Sequence, residues 1–262
     1  MFTGFQLEYD NGMFQSYKSY GEEQYELSKS QTKVELEKYI NKNNSLSGKA
    51  MQEDWFPEIE ADIFLSHSHN DMNEVYSLAG WLHKEMNLKV FIDSCVWGNS
   101  KDLLKAIDDE YSRHEDSELY DYDYNKRNFS TSHVHMLLST ALTKMIDKTE
   151  CVFFLKTPSS ISAKEVISER TKSPWIYHEL AMTELIRKKT IMEHRKHIFN
   201  ENFSEVIAKS LNIEYDVSLK HLLSLDLNDL NAWLKLQKQD LEDKTSFPLD
   251  HLYKMKLQAK SK

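Results

Sequence analysis

Apolar and polar positions change rhythm in blocks along the middle of this chain. The run Ala61-Asp62-Ile63-Phe64-Leu65-Ser66 is short and apolar, as a buried strand requires. Val75, Leu78, Ala79 and Leu82 then recur at helical spacing and predict a helix over Met72 to Met86. Leu88 to Ile92 reads as a second strand, and Asp93 to Ser100 as a loop. Asp102 to Tyr111 is helical, Ser117 to Ser130 is a polar, tyrosine-rich interruption, and Ser132 to Ile146 is a long amphipathic helix. Cys151 to Leu155 is a third strand, Pro158 to Ser173 a loop, and a further helix begins at Pro174. A β-α-β-α-β-α succession predicts a parallel sheet with helices on both faces. Ligands of such sheets bind beyond the carboxyl ends of the strands, where Ser66, Asp93 and Thr157 stand.

The flanks carry weaker patterns. Residues 1–22 show no clear period, and Glu23 to Asn41 reads as a solvated helix with Leu27, Val34, Leu36 and Ile40 inside. Asn43 to Gly48 is a turn, and Trp55-Phe56-Pro57 is expected to tether residues 1–58 as a peripheral helical arm. His197-Ile198-Phe199 and Ile213 to Val217 are candidates for the fourth and fifth strands. Leu222, Leu225, Leu227, Leu230, Trp233 and Leu236 mark one amphipathic helix or two short ones, and Phe247 to Met255 a last short helix. The expected division is an arm over 1–58, a main domain over 59–220 and a helical extension over 221–262 packed on the core.

Composition narrows the classes. A hydrophobic content of 40% with 13 Tyr, 12 Phe and 5 Trp supports a real core. A net charge of -9 argues against nucleic-acid binding through phosphate neutralisation. Two cysteines, Cys95 and Cys151, make no disulfide framework and point to the cytoplasm. Met1 to Asp10 lacks the pattern of a signal peptide, and no apolar run approaches membrane-spanning length.

Two stretches carry candidate chemistry. Ser173-Pro174-Trp175-Ile176-Tyr177-His178-Glu179-Leu180 opens a helix, with Ser173 as N-cap and Pro174 at the first helical position. Trp175 and Glu179 are four apart and share a face, setting a carboxylate beside an indole. The alternative is an amphipathic helix with one surface glutamate. Ser66-His67-Ser68-His69-Asn70-Asp71 follows the first strand, and its hydroxyls and acid suit ribose or phosphate. Asp71 is also placed to cap the next helix. A rival reading takes His67-x-His69-x-Asp71 as the start of a metallohydrolase signature. Met72 stands where that signature has a further histidine, and His133-x-His135 lies in a helix, where such residues diverge.

Taken in order, these residues resemble the TIR (Toll/interleukin-1 receptor) domain in its stand-alone bacterial form. Asp62-Ile63-Phe64-Leu65-Ser66-His67-Ser68 with Asp71 is similar to the family's first strand and loop. Phe91-Ile92-Asp93 leading into Val96-Trp97-Gly98 is similar to its second strand and flexible loop, with Trp97-Gly98 where many receptors have Pro-Gly. Trp175-x-x-x-Glu179-Leu180 is similar to the Trp-x-x-x-Glu element of NAD-cleaving members. The resemblance spans residues 59–190 and weakens across 116–131, which reads as an insertion.

The resemblance implies a flavodoxin-like fold of about five parallel strands. It implies cleavage of the nicotinamide–ribose bond of NAD, as substrate and without a cofactor or metal. Glu179 would stabilise an oxocarbenium-like ribose. Ser66, His67 and Asp71 would hold ribose or phosphate, and Trp97 or Trp175 would stack on a base. The product would be ADP-ribose or a cyclic relative, sensed by a separate effector in anti-phage defence of the Thoeris type. The loop 93–101 would mediate self-association through an exposed Trp97. The alternative within the family is a non-catalytic homotypic interaction module.

Overall fold

The computed structural model describes residues 1–9, 12–26, 36–40, 46–97, 100–113, 121–161, 170–171, 173–196, 215–216, 219–240 and 247–257. Strand β1 (Thr3–Glu8) comes first, followed by helices α1 (Lys18–Glu26) and α2 (Gly48–Trp55). Next come β2 (Ile63–Ser66), α3 (Met72–Met86), β3 (Val90–Phe91) and the single turn α4 (Asp93–Val96). Helices α5 (Ser100–Tyr111) and α6 (Tyr124–Lys148) lead to β4 (Cys151–Lys156). The remainder comprises β5 (Arg170–Thr171), α7 (Pro174–Leu185), α8 (Ile191–Lys196), β6 (Tyr215–Asp216), β7 (Leu223–Leu225), α9 (Leu227–Asp240) and α10 (Pro248–Leu257).

The architecture is α/β and flavodoxin-like, with helices on both faces of one sheet. Its strand order is β3-β2-β4-β1-β7, and every pairing is parallel. Parallel strands covered on both sides read as continuous apolar runs, which is why Ile63 to Ser66 and Cys151 to Leu155 are buried throughout. Side chains alternate between the faces. Phe5, Leu7, Ile63, Leu65, Phe153 and Leu155 join one core with residues of α3, α9 and α10. Phe64, Phe91 and Val152 join the other with residues of α2, α5 and α6. Phe154 packs on that second face against Ile176 and Leu180 of α7.

Several expectations fail at the flanks. Thr3–Glu8 is no arm: β1 lies between β4 and β7, with Phe5 and Leu7 wholly buried. One strand of alternating Phe5, Leu7 and polar Gln6, Glu8 is too short to stand out as a period. The solvated helix over Glu23 to Asn41 is replaced, in its described part, by the end of α1 and a short 3-10 turn at Leu36–Tyr39. Tyr215–Asp216 joins β5 in a separate antiparallel pair, so it is not the fifth strand of the sheet. That place belongs to Leu223–Leu225, expected as helix. His197 to Phe199 lie outside the described residues. The insertion shrinks as well, since residues 124–131 are the first turns of α6, capped by Asp123 accepting from Lys126 N at 2.8 Å. The loop after β3 begins with the helical turn α4. No helix among the described residues is long and apolar enough to cross a membrane.

The connections leaving β2 and β4 run in opposite directions, β2 toward β3 and β4 toward β7. Adjacent strands that diverge in this way open a crevice at their carboxyl ends, where open α/β sheets bind ligands.

Candidate active site at the divergence of β2 and β4

Ser66 is the last residue of β2, and it alternates in phase with Phe64. Its side chain therefore emerges on the face covered by α7. There Ser66 Oγ donates to Glu179 Oε2 at 2.5 Å, and both residues are buried, at 1% and 4% exposure. Glu179 is thus no surface residue of an amphipathic helix. Helix α7 is positioned for this by its cap: Ser173 Oγ accepts from Ile176 N at 3.3 Å, and Pro174 follows at the first position. Ile176, Glu179, Leu180 and Thr183 then turn toward the sheet. Burial pushes the Glu179 carboxyl well above the usual carboxylate range, and the charge of Asp93 adds to the rise. The Ser66 hydroxyl opposes both effects in part.

The residues after Ser66 line the same carboxyl edge. His67 Nδ1 lies 2.9 Å from the Leu65 carbonyl and so carries the proton. Its Nε2 faces Ser94 Oγ at 3.4 Å and Asp93 Oδ1 at 4.0 Å. His67 thereby ties the end of β2 to the start of α4. Asp71 occupies the N-cap position of α3, but its side chain makes no cap bond. Instead Thr157 Oγ1 donates to Asp71 Oδ2 at 2.5 Å. A buried carboxylate so placed bridges the ends of β2 and β4 across the crevice. Thr157 is itself held by Ser160, whose Oγ accepts from Thr157 N at 2.9 Å.

The two tryptophans lie elsewhere. Trp97 is buried at 7% exposure, edge-on to Phe91 and Phe56, and its Nε1 donates to the Pro57 carbonyl at 2.9 Å. It is a core residue of the second face, and the expectation of an exposed loop tip for self-association is corrected. Gly98 lies outside the described residues. Trp175 is half-buried, and its ring stands edge-on against His135 of α6 at 5.5 Å between centroids. One turn on, His178 Nε2 lies 3.1 Å from the Ser139 carbonyl. These two residues fasten α7 to α6, and burial lowers the pKa of both His135 and His178.

The metal reading finds no converging ligand set. Asp71 is engaged by Thr157, and His67 Nδ1 by a carbonyl. His69 is exposed, with its ring centroid 6.0 Å from that of His67. Among the described residues no group of three or more His, Cys, Asp or Glu is placed to hold a metal ion.

The structure thus brings Ser66, His67, Asp71 and Glu179 to one sheet edge and sends Trp97 and Trp175 into packing. Asp93 and Thr157 belong to the same edge. The sequence signal for both was their position at a strand end, and only the fold reveals Asp93 acting on Glu179 and Thr157 on Asp71. Comparison with protein-family models, with curated proteins and with solved structures finds no match for this chain.

Proposed function

We propose that this chain cleaves the nicotinamide–ribose bond of NAD, with Glu179 as the group that stabilises the ribosyl cation. The observation that carries the reading is a buried carboxylate, hydrogen-bonded to Ser66 at 2.5 Å, beside the crevice where β2 and β4 diverge. A lone carboxylate is costly there, as its raised pKa reflects. A cationic substrate supplies the missing counter-charge, and NAD brings a pyridinium. As the C1′–N bond breaks, its electron pair leaves with nicotinamide, which becomes neutral. The positive charge passes to the ribose ring, next to the carboxylate. An interaction that strengthens as charge moves toward it is the kind that lowers a barrier. Water then adds at C1′ and releases a proton, giving ADP-ribose; capture by a group of the same molecule gives a cyclic product.

Asp71, held by Thr157, and His67, held by Leu65, would take the ribose hydroxyls in this reading. With Ser66 and Glu179 both buried, the crevice must open before a ribose reaches the carboxyl. The site of action is the cytoplasm and the product is a nucleotide signal for a separate effector, as the resemblance to the defence enzymes suggests. The test is to incubate the purified chain with NAD and separate the mixture by chromatography. Release of nicotinamide with ADP-ribose or its cyclic relative supports the reading, and NAD recovered intact overturns it.

A further inference from the structure

A hydroxyl faces an imidazole beside the crevice, and the cleavage step leaves that hydroxyl without a role. Ser94 lies in α4, one residue after Asp93, and is half-buried. Its Oγ stands 3.4 Å from His67 Nε2 and 3.4 Å from Met72 Sδ. A hydroxyl donates one hydrogen at a time, and a thioether is the weaker of the two acceptors. The His67 ring is fixed from its other side, because Nδ1 donates to the Leu65 carbonyl at 2.9 Å. That bond puts the ring proton on Nδ1 and leaves the Nε2 lone pair facing Ser94. Asp93 Oδ1 lies 4.0 Å from the same Nε2.

A hydroxyl, a base within reach of it and a third group that orients the base make up an activated nucleophile. Here the three are Ser94, His67 and the Leu65 carbonyl. A separation of 3.4 Å is long for a proton transfer, and such bonds tighten when a substrate binds. Asp93 completes the set, since a carboxylate beside Nε2 favours the imidazolium that forms when His67 takes a proton. The set stands by the Glu179 site. Ser66, which donates to Glu179, precedes His67 in the chain, and the charge of Asp93 acts on the Glu179 carboxyl.

We propose that Ser94, with His67 as its base, captures the ribosyl cation at C1′, so that the chain ADP-ribosylates itself at Ser94. This rests on the NAD-cleaving reading and names an acceptor for it. The C1′–N bond breaks, and its electron pair leaves with nicotinamide. A lone pair of Ser94 Oγ forms the new bond to C1′, and the hydroxyl proton passes to His67 Nε2. NAD and the serine become nicotinamide, an O-linked ADP-ribosyl serine and a proton, with no oxidant or further reactant. An acceptor built into the chain competes with water through its high effective concentration.

The test is to incubate the full chain with NAD and to measure nicotinamide release, the intact mass and the proteolytic peptides by mass spectrometry. One ADP-ribose is expected on the wild-type chain, on the peptide that holds Ser94. That bond is an acetal and withstands neutral hydroxylamine, whereas an ester to Glu179 or Asp93 does not. Ser94→Ala should lose the adduct. His67→Gln should lower the adduct formed per nicotinamide released by about a hundredfold or more, the usual worth of a general base. Thermal melts establish that both variants fold. Nicotinamide release from an unmodified wild-type chain, an adduct that hydroxylamine removes, or an adduct on another residue overturns this inference and leaves the cleavage reading standing. So does an adduct that forms equally well in His67→Gln. NAD recovered intact overturns the cleavage reading, and this inference with it.

Discussion

Glu179→Gln should make the folded chain more stable at neutral pH, even as it removes the proposed activity. The carboxyl is 4% exposed, and its pKa is raised above the ordinary 4.5 first by burial and then by Asp93. A carboxyl with a folded-state pKa above its unfolded one binds its proton more tightly in the native state. Its stabilising contribution is fully present below the unfolded pKa and is lost as pH rises through the folded pKa. Each unit of difference is worth about 1.4 kcal/mol. Glutamine keeps the shape and still accepts from Ser66, but it has no proton to lose. The variant should therefore be the more stable protein at neutral pH, and each kcal/mol gained raises Tm by about 2–4 °C for a chain of this size. The gain should vanish toward about pH 4, where the wild-type carboxyl is protonated in both states. Thermal melts of the two proteins from about pH 4 to about pH 8 measure it. A variant no more stable than wild type across the range would refute the electrostatic account of the site.

Other expectations follow from single contacts. Phe5→Ala should cost about 3–5 kcal/mol in urea unfolding, because Phe5 is wholly buried against Phe153; a cost near zero would return β1 to the periphery. Trp97→Ala should lower stability by a similar about 3–5 kcal/mol, with no change in sedimentation of the folded protein, and a shift in assembly without loss of stability would restore the loop-tip reading. Gly80→Ala should destabilise by about 1–3 kcal/mol, since its Cβ would stand 2.6 Å from the Tyr17 carbonyl oxygen and the gain of about 1 kcal/mol in helix propensity is smaller; a stabilised variant would refute the close α1–α3 crossing. Turnover of NAD should rise with pH across a titration above 4.5, because Glu179 must be ionised to act, and a rate falling with pH there would contradict that role.

The middle of the chain was legible because its signals are local. Ile63 to Leu65 and Cys151 to Leu155 are apolar runs bounded by helices at 3.6-residue spacing, and the Ser173-Pro174 start of α7 is an N-cap written in two residues. The flanks were not legible because their structure depends on distant partners. β1 is a strand through its pairing with β4, whose residues lie far along the chain, and Leu223–Leu225 is a strand through its pairing with β1. Within the site, position at a strand end pointed to Ser66 and Asp71. The destination of each side chain did not follow from position: Asp71 reaches Thr157 rather than its own helix, and Trp97 turns inward to Pro57. Side-chain exposure in a loop is a property of what packs over it, and Phe56 comes from a different segment.

The central claim is that Glu179 carries the cleavage of NAD. Nicotinamide release by wild type and by Glu179→Gln, measured side by side at equal protein concentration, tests it most directly. The account predicts release by wild type and a rate lower by about a hundredfold or more in the variant, the usual effect of removing one preorganised electrostatic group. Equal rates in the two proteins, or no release by wild type, would contradict it.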